Sequence, residues 1–126
     1  MKVLQVINCA YRATTEEQDD TIVWITHAMQ GAGAELDVLL SGNAVNYPVA
    51  SQNSNGLSFG DWQQTQPPQL ARDVGGLIEK GIDVFLVDED VRDRGLDDSH
   101  LIDGLRRIPR AELAALYEAY DQVWQW

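Results

Sequence analysis

The sequence predicts an α/β fold, a three-layer α/β/α domain built on a five-stranded parallel sheet. Short runs of high apolar density at residues 2–8 and 82–87 are typical of strands that are buried on both faces. Segments with helical spacing separate the apolar runs, and strands joined by helices form parallel sheets with right-handed crossovers. A chain of 126 residues with 44% hydrophobic content suits one core, so we expect a single domain, 1–126.

The first helix is expected to follow the strand at residues 2–8. Thr14 and Thr15 each begin a capping-box pattern, so the helix should start near residue 15 and end at Gly31. Helical spacing predicts a broad buried side that comprises Ile22, Val23, Trp24, Ile25, Ala28, Met29 and Ala32.

The rest of the chain continues the alternation of strands and helices. A second strand at 35–40 is followed by a short helix at 43–47. Residues 48–68 lack periodicity and are rich in Ser, Asn, Gln, Gly and Pro, which is typical of a functional or mobile loop, either a lid or an oligomer contact. The remaining expected elements are a helix at 70–81, a strand at 82–87, a short strand at 105–108, a helix from Pro109 to Tyr120 and a closing strand at 122–126.

Composition limits the classes of function. Nine basic and twenty acidic residues give a formal net charge of −11, which repels phosphate backbones and anionic lipids, so we expect no nucleic-acid partner. No run approaches the roughly 18 apolar residues of a membrane span, and the chain enters a strand without a signal-peptide layout. These features predict a cytoplasmic protein with no membrane partner. The single cysteine, Cys9, excludes an internal disulfide and any Cys-x-x-Cys pair.

A more specific pattern follows the apolar run at 82–87. It comprises a short loop, Arg-x-Arg-Gly-Leu at 92–96, an acidic linker, Ile-Pro-Arg-Ala-Glu-Leu at 108–113 and a closing aromatic strand. This pattern resembles the DsrE/DsrF family, which includes the DsrE-DsrF-DsrH and TusB-TusC-TusD sulfur-relay proteins. The resemblance extends over most of the chain and is most specific at 83–96. It implies the same fold and a small symmetric assembly.

The resemblance also identifies a position where the family's cysteine is missing. In the persulfide-carrying members a cysteine ends this strand, eight residues before the glycine of the Arg-Gly pair. Counting back from Gly95 gives Val87, which cannot carry sulfur. Gly42 and Asn43 resemble the start of the family's "Gly-Asp/Glu-Ala/Gly-Val" segment, which opens a short helix. The resemblance therefore implies the family's fold and a context of sulfur metabolism. The missing cysteine argues against persulfide transfer, which is the family's best-known activity.

Ligands of open α/β sheets bind beyond the carboxyl ends of the strands, and Cys9 follows the first strand. A helix N-terminus comes next, and its dipole would stabilise a thiolate, whereas the acidic residues of the first turns would oppose one. Two interpretations remain, a reactive thiol and a small buried hydrophobic residue, of which the second is favoured.

Asp88, Glu89 and Asp90 lie at the carboxyl end of the strand at 82–87. Carboxylates at a strand end can bind a divalent cation, but a solvated loop whose acids pair with Arg92 and Arg94 is favoured. We expect no metal and no cofactor, and we place Asp88 and Glu89 on the rim of a ligand-binding crevice beside Val87.

The other polar residues expected at this crevice are Asn8, Tyr11, Arg12 and Asn43. A guanidinium at Arg12 is suited to hold an anion such as a persulfide, a sulfite or a carboxylate. The alternative for Arg12 is an ion pair with one of the many neighbouring acids.

These observations predict a DsrE/DsrF-like protein of intracellular sulfur metabolism, in sulfur relay or sulfur oxidation. Because Val87 replaces the family cysteine, we expect a non-catalytic subunit or a module that binds a small ligand or a partner. The alternative is a sulfurtransferase that uses Cys9 as its persulfide carrier, and a third possibility is a protein that binds a small ligand and has no link to sulfur. The predicted partners are further copies of the chain and other sulfur-relay subunits. Copies of the chain are expected because some of its four tryptophans should lie near the surface, where an interface could bury them.

Overall fold

The computed structural model of the protein describes residues 1–11 and 20–126. The strands are β1 (Lys2–Ile7), β2 (Glu35–Leu40), β3 (Ser58–Phe59), β4 (Trp62–Gln63), β5 (Val84–Val87), β6 (Arg106–Ile108) and β7 (Gln122–Gln125). The α-helices are α1 (Thr21–Gly31), α2 (Leu70–Glu79), α3 (Asp88–Asp93) and α4 (Leu113–Glu118). Short 3-10 helices span Gly42–Asn46, Asp98–His100 and Arg110–Glu112.

Five strands form one parallel sheet in the order β6-β5-β2-β1-β7. The predicted five-stranded parallel sheet is therefore confirmed. The chain moves outward from β1 through β2 and β5 to β6, and then returns to place β7 on the other side of β1. The carboxyl ends of β1, β2 and β5 consequently lie next to one another along one rim of the sheet.

The core lies on both faces of the sheet, as a three-layer fold requires. One face packs against α1 and α2 through residues that include Val3, Ile7, Val23, Val74 and Leu77. The other face packs against α4 through Leu4, Val6, Leu39, Val87, Ile108, Leu113 and Leu116. Because neighbouring residues of a strand point to opposite faces, β1 supplies both halves of the core, which explains its apolar sequence.

Helix α1 differs from expectation in its start and in its buried side. It begins at Thr21 with Asp20 as N-cap, and the expected start near residue 15 lies outside the described residues. Ile22, Val23 and Thr26 are buried, whereas Trp24, Ala28 and Ala32 are exposed, so the predicted burial of these last three was wrong. A helix turns about 100° per residue, so Trp24 lies some 200° around the axis from the buried Ile22.

The segments around the acidic residues and the long loop also differ in detail. Asp88, Glu89 and Asp90 form the first turn of α3 rather than a loop, because carboxylates are favourable at a helix N-terminus. Within 48–68 the chain forms the small antiparallel hairpin β3–β4, and Val49 bridges to Leu101. None of the described helices combines the length and the apolar character needed to cross a membrane.

Candidate functional site

The candidate site is the rim formed by the ends of β1, β2 and β5. The backbone amide of Gly42, just after β2, donates to Asp90 Oδ2 on α3 at 2.7 Å. Gly42 has φ +54, and a Cβ there would lie 3.1 Å from the Asn8 carbonyl oxygen at the end of β1. A glycine is therefore favoured where these three chain segments meet, because any other residue would be strained there.

Cys9 and Asn8 lie on this rim, and the predicted burial of Cys9 as a small hydrophobic residue was wrong. Cys9 is exposed, and its thiol donates to Asn8 Oδ1 at 3.3 Å. The thiol is therefore accessible to a reagent, and its proton is engaged in this hydrogen bond.

Tyr11 and Tyr47 pack against each other next to the backbone of Cys9. Their rings pack with centroids 5.4 Å apart, and burial raises the pKa of the Tyr11 phenol. The Tyr47 hydroxyl lies 2.6 Å from Asp20 Oδ2 and 3.1 Å from the Cys9 carbonyl oxygen. A hydroxyl has one proton, so the shorter bond to the carboxylate is the favoured one. Arg12, the expected anion-holding residue, lies outside the described residues.

Asn43 is joined to the rim by Arg94. Its Oδ1 accepts from Arg94 Nε at 3.1 Å and from Nη2 at 2.8 Å, while Arg94 Nη1 donates to the Asp90 carbonyl oxygen. Arg94 was expected to pair with the side chains of the acidic segment. It instead holds the turn after β2 against α3, because its fork of donors matches one amide oxygen and one carbonyl.

The acidic residues of α3 face arginines. Asp88 Oδ1 lies 2.6 Å from Arg107 Nη2, and Asp88 Oδ2 lies 2.9 Å from Arg92 Nη2. Asp90 Oδ1 accepts from the guanidinium of Arg110. These pairs tie α3 to β6 and to the segment after it. The expected pairing with Arg92 is confirmed, but Arg107 and Arg110 are further partners from distant sequence.

Glu89 accepts from the backbone amide of Arg110 at 2.8 Å. That hydrogen bond is the main reason why the pKa of Glu89 lies below its ordinary value. Within residues 1–11 and 20–126, no group of three or more His, Cys, Asp or Glu side chains is placed to hold a metal ion.

Val87 lies at the end of β5, but its side chain belongs to the core. It is 1% exposed and packs in the cluster on the α4 face. A ligand in the crevice would therefore meet the neighbouring backbone and polar side chains, with almost no surface of Val87 itself. Of the predicted residues, the structure brings Asn8, Cys9, Tyr11, Gly42 and Asn43 to one rim, with Asp88 and Glu89 directed toward arginines.

Sequence reasoning did not include Asp20, Tyr47, Arg107 and Arg110 in this site. Asp20 is one of the acidic residues expected in the first turns of a longer helix. Tyr47 is expected only to end the short helix at 43–47. An Asp directly before an apolar helical run is an N-cap signal, and this signal could have identified Asp20. No local signal pairs Arg107 or Arg110 with α3, because both partners are about twenty residues away.

Solved structures share this architecture. The YchN protein from E. coli matches with a TM-score of 0.74 and 20% identity, over 99% of this chain and 98% of that chain. The protein of unknown function MTH1491 from Methanobacterium thermoautotrophicum matches with a TM-score of 0.66 and 11% identity, over 98% of this chain and 97% of that chain. The conserved protein of unknown function BT1422 from Bacteroides thetaiotaomicron matches with a TM-score of 0.70 and 10% identity, over 99% of this chain and 94% of that chain.

These likenesses define the class of fold, and at such identities they show the fold alone. The chain thus has a YchN-like α/β fold over nearly its whole length. No family model matches the sequence, and no curated protein matches it either.

Proposed function

We propose that the chain is a DsrE/DsrF-like module of intracellular sulfur metabolism that binds a partner or a small ligand and does not itself carry sulfur. The motif at 92–96 and the YchN-like fold support the family setting. The single observation that carries the proposal is Val87, an apolar side chain with 1% exposure where the resemblance places the sulfur-accepting cysteine. The proposed location is the cytoplasm.

The partners that fit this role are further copies of the chain and cysteine-bearing subunits of a sulfur relay. A subunit without the cysteine contributes surface to an assembly, and the rim around Gly42 and Asn43 is rigidly built for contact because Asp90 and Arg94 hold it. The net charge of −11 opposes association with further copies of the chain, and among other subunits it favours a partner surface with positive charge.

The test is incubation of the purified chain with a low-molecular-weight persulfide donor, followed by intact-protein mass measurement. We expect no stable gain of about 32 Da, the mass of one sulfur atom, on the wild type. The variant Val87→Cys should fold with a loss of less than about 1.5 kcal/mol because the side chains are similar in volume. A wild-type chain that accepts and passes on sulfur as fast as cysteine-bearing proteins of this family would disprove the proposal.

The alternative, a sulfurtransferase that uses Cys9, is favoured by one observation, the exposure of that thiol at the end of β1. In this reaction the Cys9 thiolate attacks the outer sulfur of the donor persulfide. The donor's S–S bond breaks, the donor leaves as a thiol, and a new S–S bond forms on Cys9. An adduct of about 32 Da that is present in the wild type and absent in Cys9→Ser would establish this alternative.

A further inference from the structure

A cleft lies beside the rim and shares Tyr11 with it. It is a cleft of about 740 Å³ between residues 50–57, residues 64–68 and the first turn of α2. Tyr11 lines it, whereas Cys9 and Gly42 do not. Small-molecule sites are typically clefts of about 300–1,000 Å³, so this volume suits a ligand of moderate size.

Hydrogen bonds hold the walls of the cleft in place. Gln52 Nε2 lies within 3.1 Å of three backbone carbonyl oxygens, those of Asn46, Tyr47 and Val49. Ser54 Oγ donates to Gln69 Oε1 at 2.9 Å, which joins the loop to the residue that precedes α2. The base of the loop is therefore fixed before a ligand arrives, which lowers the entropic cost of binding.

The lining of the cleft combines apolar surface with neutral hydrogen-bonding groups. Tyr11, Leu57 and Pro67 supply apolar surface, while Asn53, Asn55 and Gln64 supply carboxamides. Among the lining residues, all of which the structure describes, Arg72 is the single charged one and none is acidic. In a chain with twenty acidic residues, the lining of this cleft therefore contains no carboxylate, and the neighbouring one is that of Asp73 beside Arg72.

Arg72 is available to a ligand. Its side chain is 76% exposed, and its ion pair within the described residues is a 3.7 Å contact with the neighbouring Asp73. A contact of that length between adjacent residues holds a guanidinium weakly. Arg72 can therefore turn toward an anionic group at the mouth of the cleft, and its planar fork suits a sulfonate or a carboxylate.

We propose that this cleft binds a small organic anion with a flat apolar body, the body lying against Tyr11 and Leu57 and the anionic group meeting Arg72. This site is independent of the sulfur-related function proposed above, because it uses neither Cys9 nor the end of β5.

Two fluorescent probes of nearly the same shape test the proposal, anilinonaphthalene sulfonate and its uncharged counterpart phenylnaphthylamine. We expect the wild type to bind the sulfonate saturably at one site per chain. Arg72→Gln should weaken sulfonate binding by about fivefold and should change binding of the uncharged probe by less than about twofold. Leu57→Ser, a change of an exposed side chain, should weaken both probes because it removes apolar contact.

The matched control is Arg106→Gln, because Arg106 is also an exposed arginine but lies on β6, away from the cleft. Amide NMR shifts induced by the sulfonate should centre on residues 53–57 and 69–72. The proposal is overturned if the sulfonate does not saturate, if Arg106→Gln weakens it as much as Arg72→Gln, or if the shifts centre on the β3–β4 hairpin tip or on β7.

Discussion

The side chain of Asp37 is a carboxylate in the middle of a buried strand, and its three partners explain how the fold keeps it there. Asp37 Oδ1 accepts from the backbone amide of Asp83 at 2.9 Å. Its Oδ2 accepts from the Tyr120 hydroxyl at 2.7 Å and pairs with Lys2 Nζ at 2.9 Å. Burial, together with the hydrogen bond to Asp37, raises the pKa of Tyr120. A buried charge with three partners is tolerated, whereas one left without them would be costly.

Tyr120→Phe should lower the free energy of unfolding by about 1 kcal/mol, because it removes one of these hydrogen bonds while Lys2 still pairs with Asp37. Tyr117→Phe on α4 is the matched control, since its hydroxyl has no hydrogen-bond partner among the described residues and its loss should cost less than about 0.5 kcal/mol. Urea denaturation at neutral pH measures both. Equal losses in the two variants would show that the bond to Asp37 contributes nothing to stability.

Stability should also depend on pH through Glu89. The amide of Arg110 lowers the pKa of Glu89 below its ordinary value of 4.5, so the folded state binds fewer protons than the unfolded state between those two values. The stabilisation is complete above pH 4.5 and is lost as the pH falls through the folded-state pKa. Asp97 acts in the same direction, because the hydroxyl and the amide of Ser99 lower its pKa below 3.8.

Glu89→Gln should therefore reduce the loss of stability between pH 6 and pH 3, measured by urea denaturation at each pH. Protonation also reduces the repulsion that follows from a net charge of −11, so the comparison between variants is more informative than the absolute slope. Glu118→Gln serves as the control, because Glu118 makes no hydrogen bond or ion pair within the described residues. If both variants retain the wild-type slope, the bond from Arg110 is not coupled to folding.

Single residues of the candidate site were predictable where their neighbours in sequence determined them. Gly42 and Asn43 follow a clear strand, and Cys9 follows another, so their place on the rim could be anticipated. The pairing of Asp88 with Arg92 could be anticipated in the same way. The pairings of Asp88 with Arg107 and of Asp90 with Arg110 could not, because they depend on how β6 lies beside β5. The exposure of Cys9 depends on the path of the chain after β1, which no periodicity reveals.

The start of helix α1 is held by one side chain, that of Asp20. Asp20 is fully buried, and its Oδ1 accepts from the amides of Ile22 and Val23 at 2.9 and 3.1 Å. Its Oδ2 accepts from the Tyr47 hydroxyl at 2.6 Å. One carboxylate therefore caps the helix and joins it to the 3-10 helix after β2.

Asp20→Ala should lower the free energy of unfolding by about 2–3 kcal/mol, because the cap is lost and the buried Tyr47 hydroxyl loses its charged acceptor. Thr21→Ala, at the exposed neighbouring residue, should cost less than about 0.5 kcal/mol. A double-mutant cycle of Asp20→Ala with Tyr47→Phe should give a coupling of about 1 kcal/mol. Strictly additive losses would show that the hydroxyl and the carboxylate act separately.

The β3–β4 hairpin should exchange its amide hydrogens faster than β5. Its two strands have two residues each, and the rings of Phe59 and Trp62 lie with centroids 5.9 Å apart while both side chains remain exposed. Few contacts therefore resist local opening at residues 57–66. Hydrogen exchange followed by mass spectrometry tests this, and exchange in a monomer as slow as in β5 would contradict it. Saturation with anilinonaphthalene sulfonate should slow exchange at residue 57 if the cleft is occupied.

Elements with strong periodicity or dense apolar sequence were predicted close to their observed bounds, as for β2 and α2. Among the short elements, β6 was also predicted close to its observed bounds, whereas α3 and the β3–β4 hairpin were not predicted. Helix α3 has six residues, and its acidic sequence shows no helical spacing of apolar residues. The one sequence feature that favours a helix there is the interaction of its carboxylates with the helix dipole at the N-terminus. The β3–β4 hairpin has too few residues for alternation to be visible, and its two strands are joined only by Gly60 and Asp61.

At the scale of the whole molecule, alternation of strands and helices predicted a parallel sheet but could not give its order. The order β6-β5-β2-β1-β7 depends on the return of the last strand to the far side of β1. The closing strand was recognisable from its alternation, yet nothing local indicates which edge it joins. That return makes β7 an edge strand among the described residues, with one side hydrogen-bonded to β1 and no described strand paired to the other side.

Exposed aromatic and apolar side chains near this edge and on the hairpin are the basis on which we predict a contact with further copies of the chain. Trp126 is 39% exposed, Val123 on β7 is 38% exposed and Trp62 on the hairpin is 45% exposed. Large aromatic side chains are enriched in interface cores because they bury much area at a small entropic cost. The opposing factor is a charge of −11 on each chain, whose repulsion is screened beyond about 8 Å at physiological salt.

We therefore expect a homo-oligomer, a dimer, a trimer or a hexamer, with a contact centred on Trp62 or on β7. Light scattering after size exclusion should give a small multiple of 14.1 kDa at micromolar concentration and moderate salt. Trp62→Ala tests the hairpin, and Val123→Lys tests the edge strand, because a lysine on an edge strand blocks pairing.

Trp126 is a poorer choice for substitution, because its indole Nε1 donates to the buried Gln5 at 3.0 Å and its loss would disturb the core. Trp24→Ala is the control, since Trp24 is 56% exposed on α1 and lies outside both expected contacts. A single 14.1 kDa species in the wild type would refute the oligomer, whereas dissociation in one variant but not in the control would locate the interface.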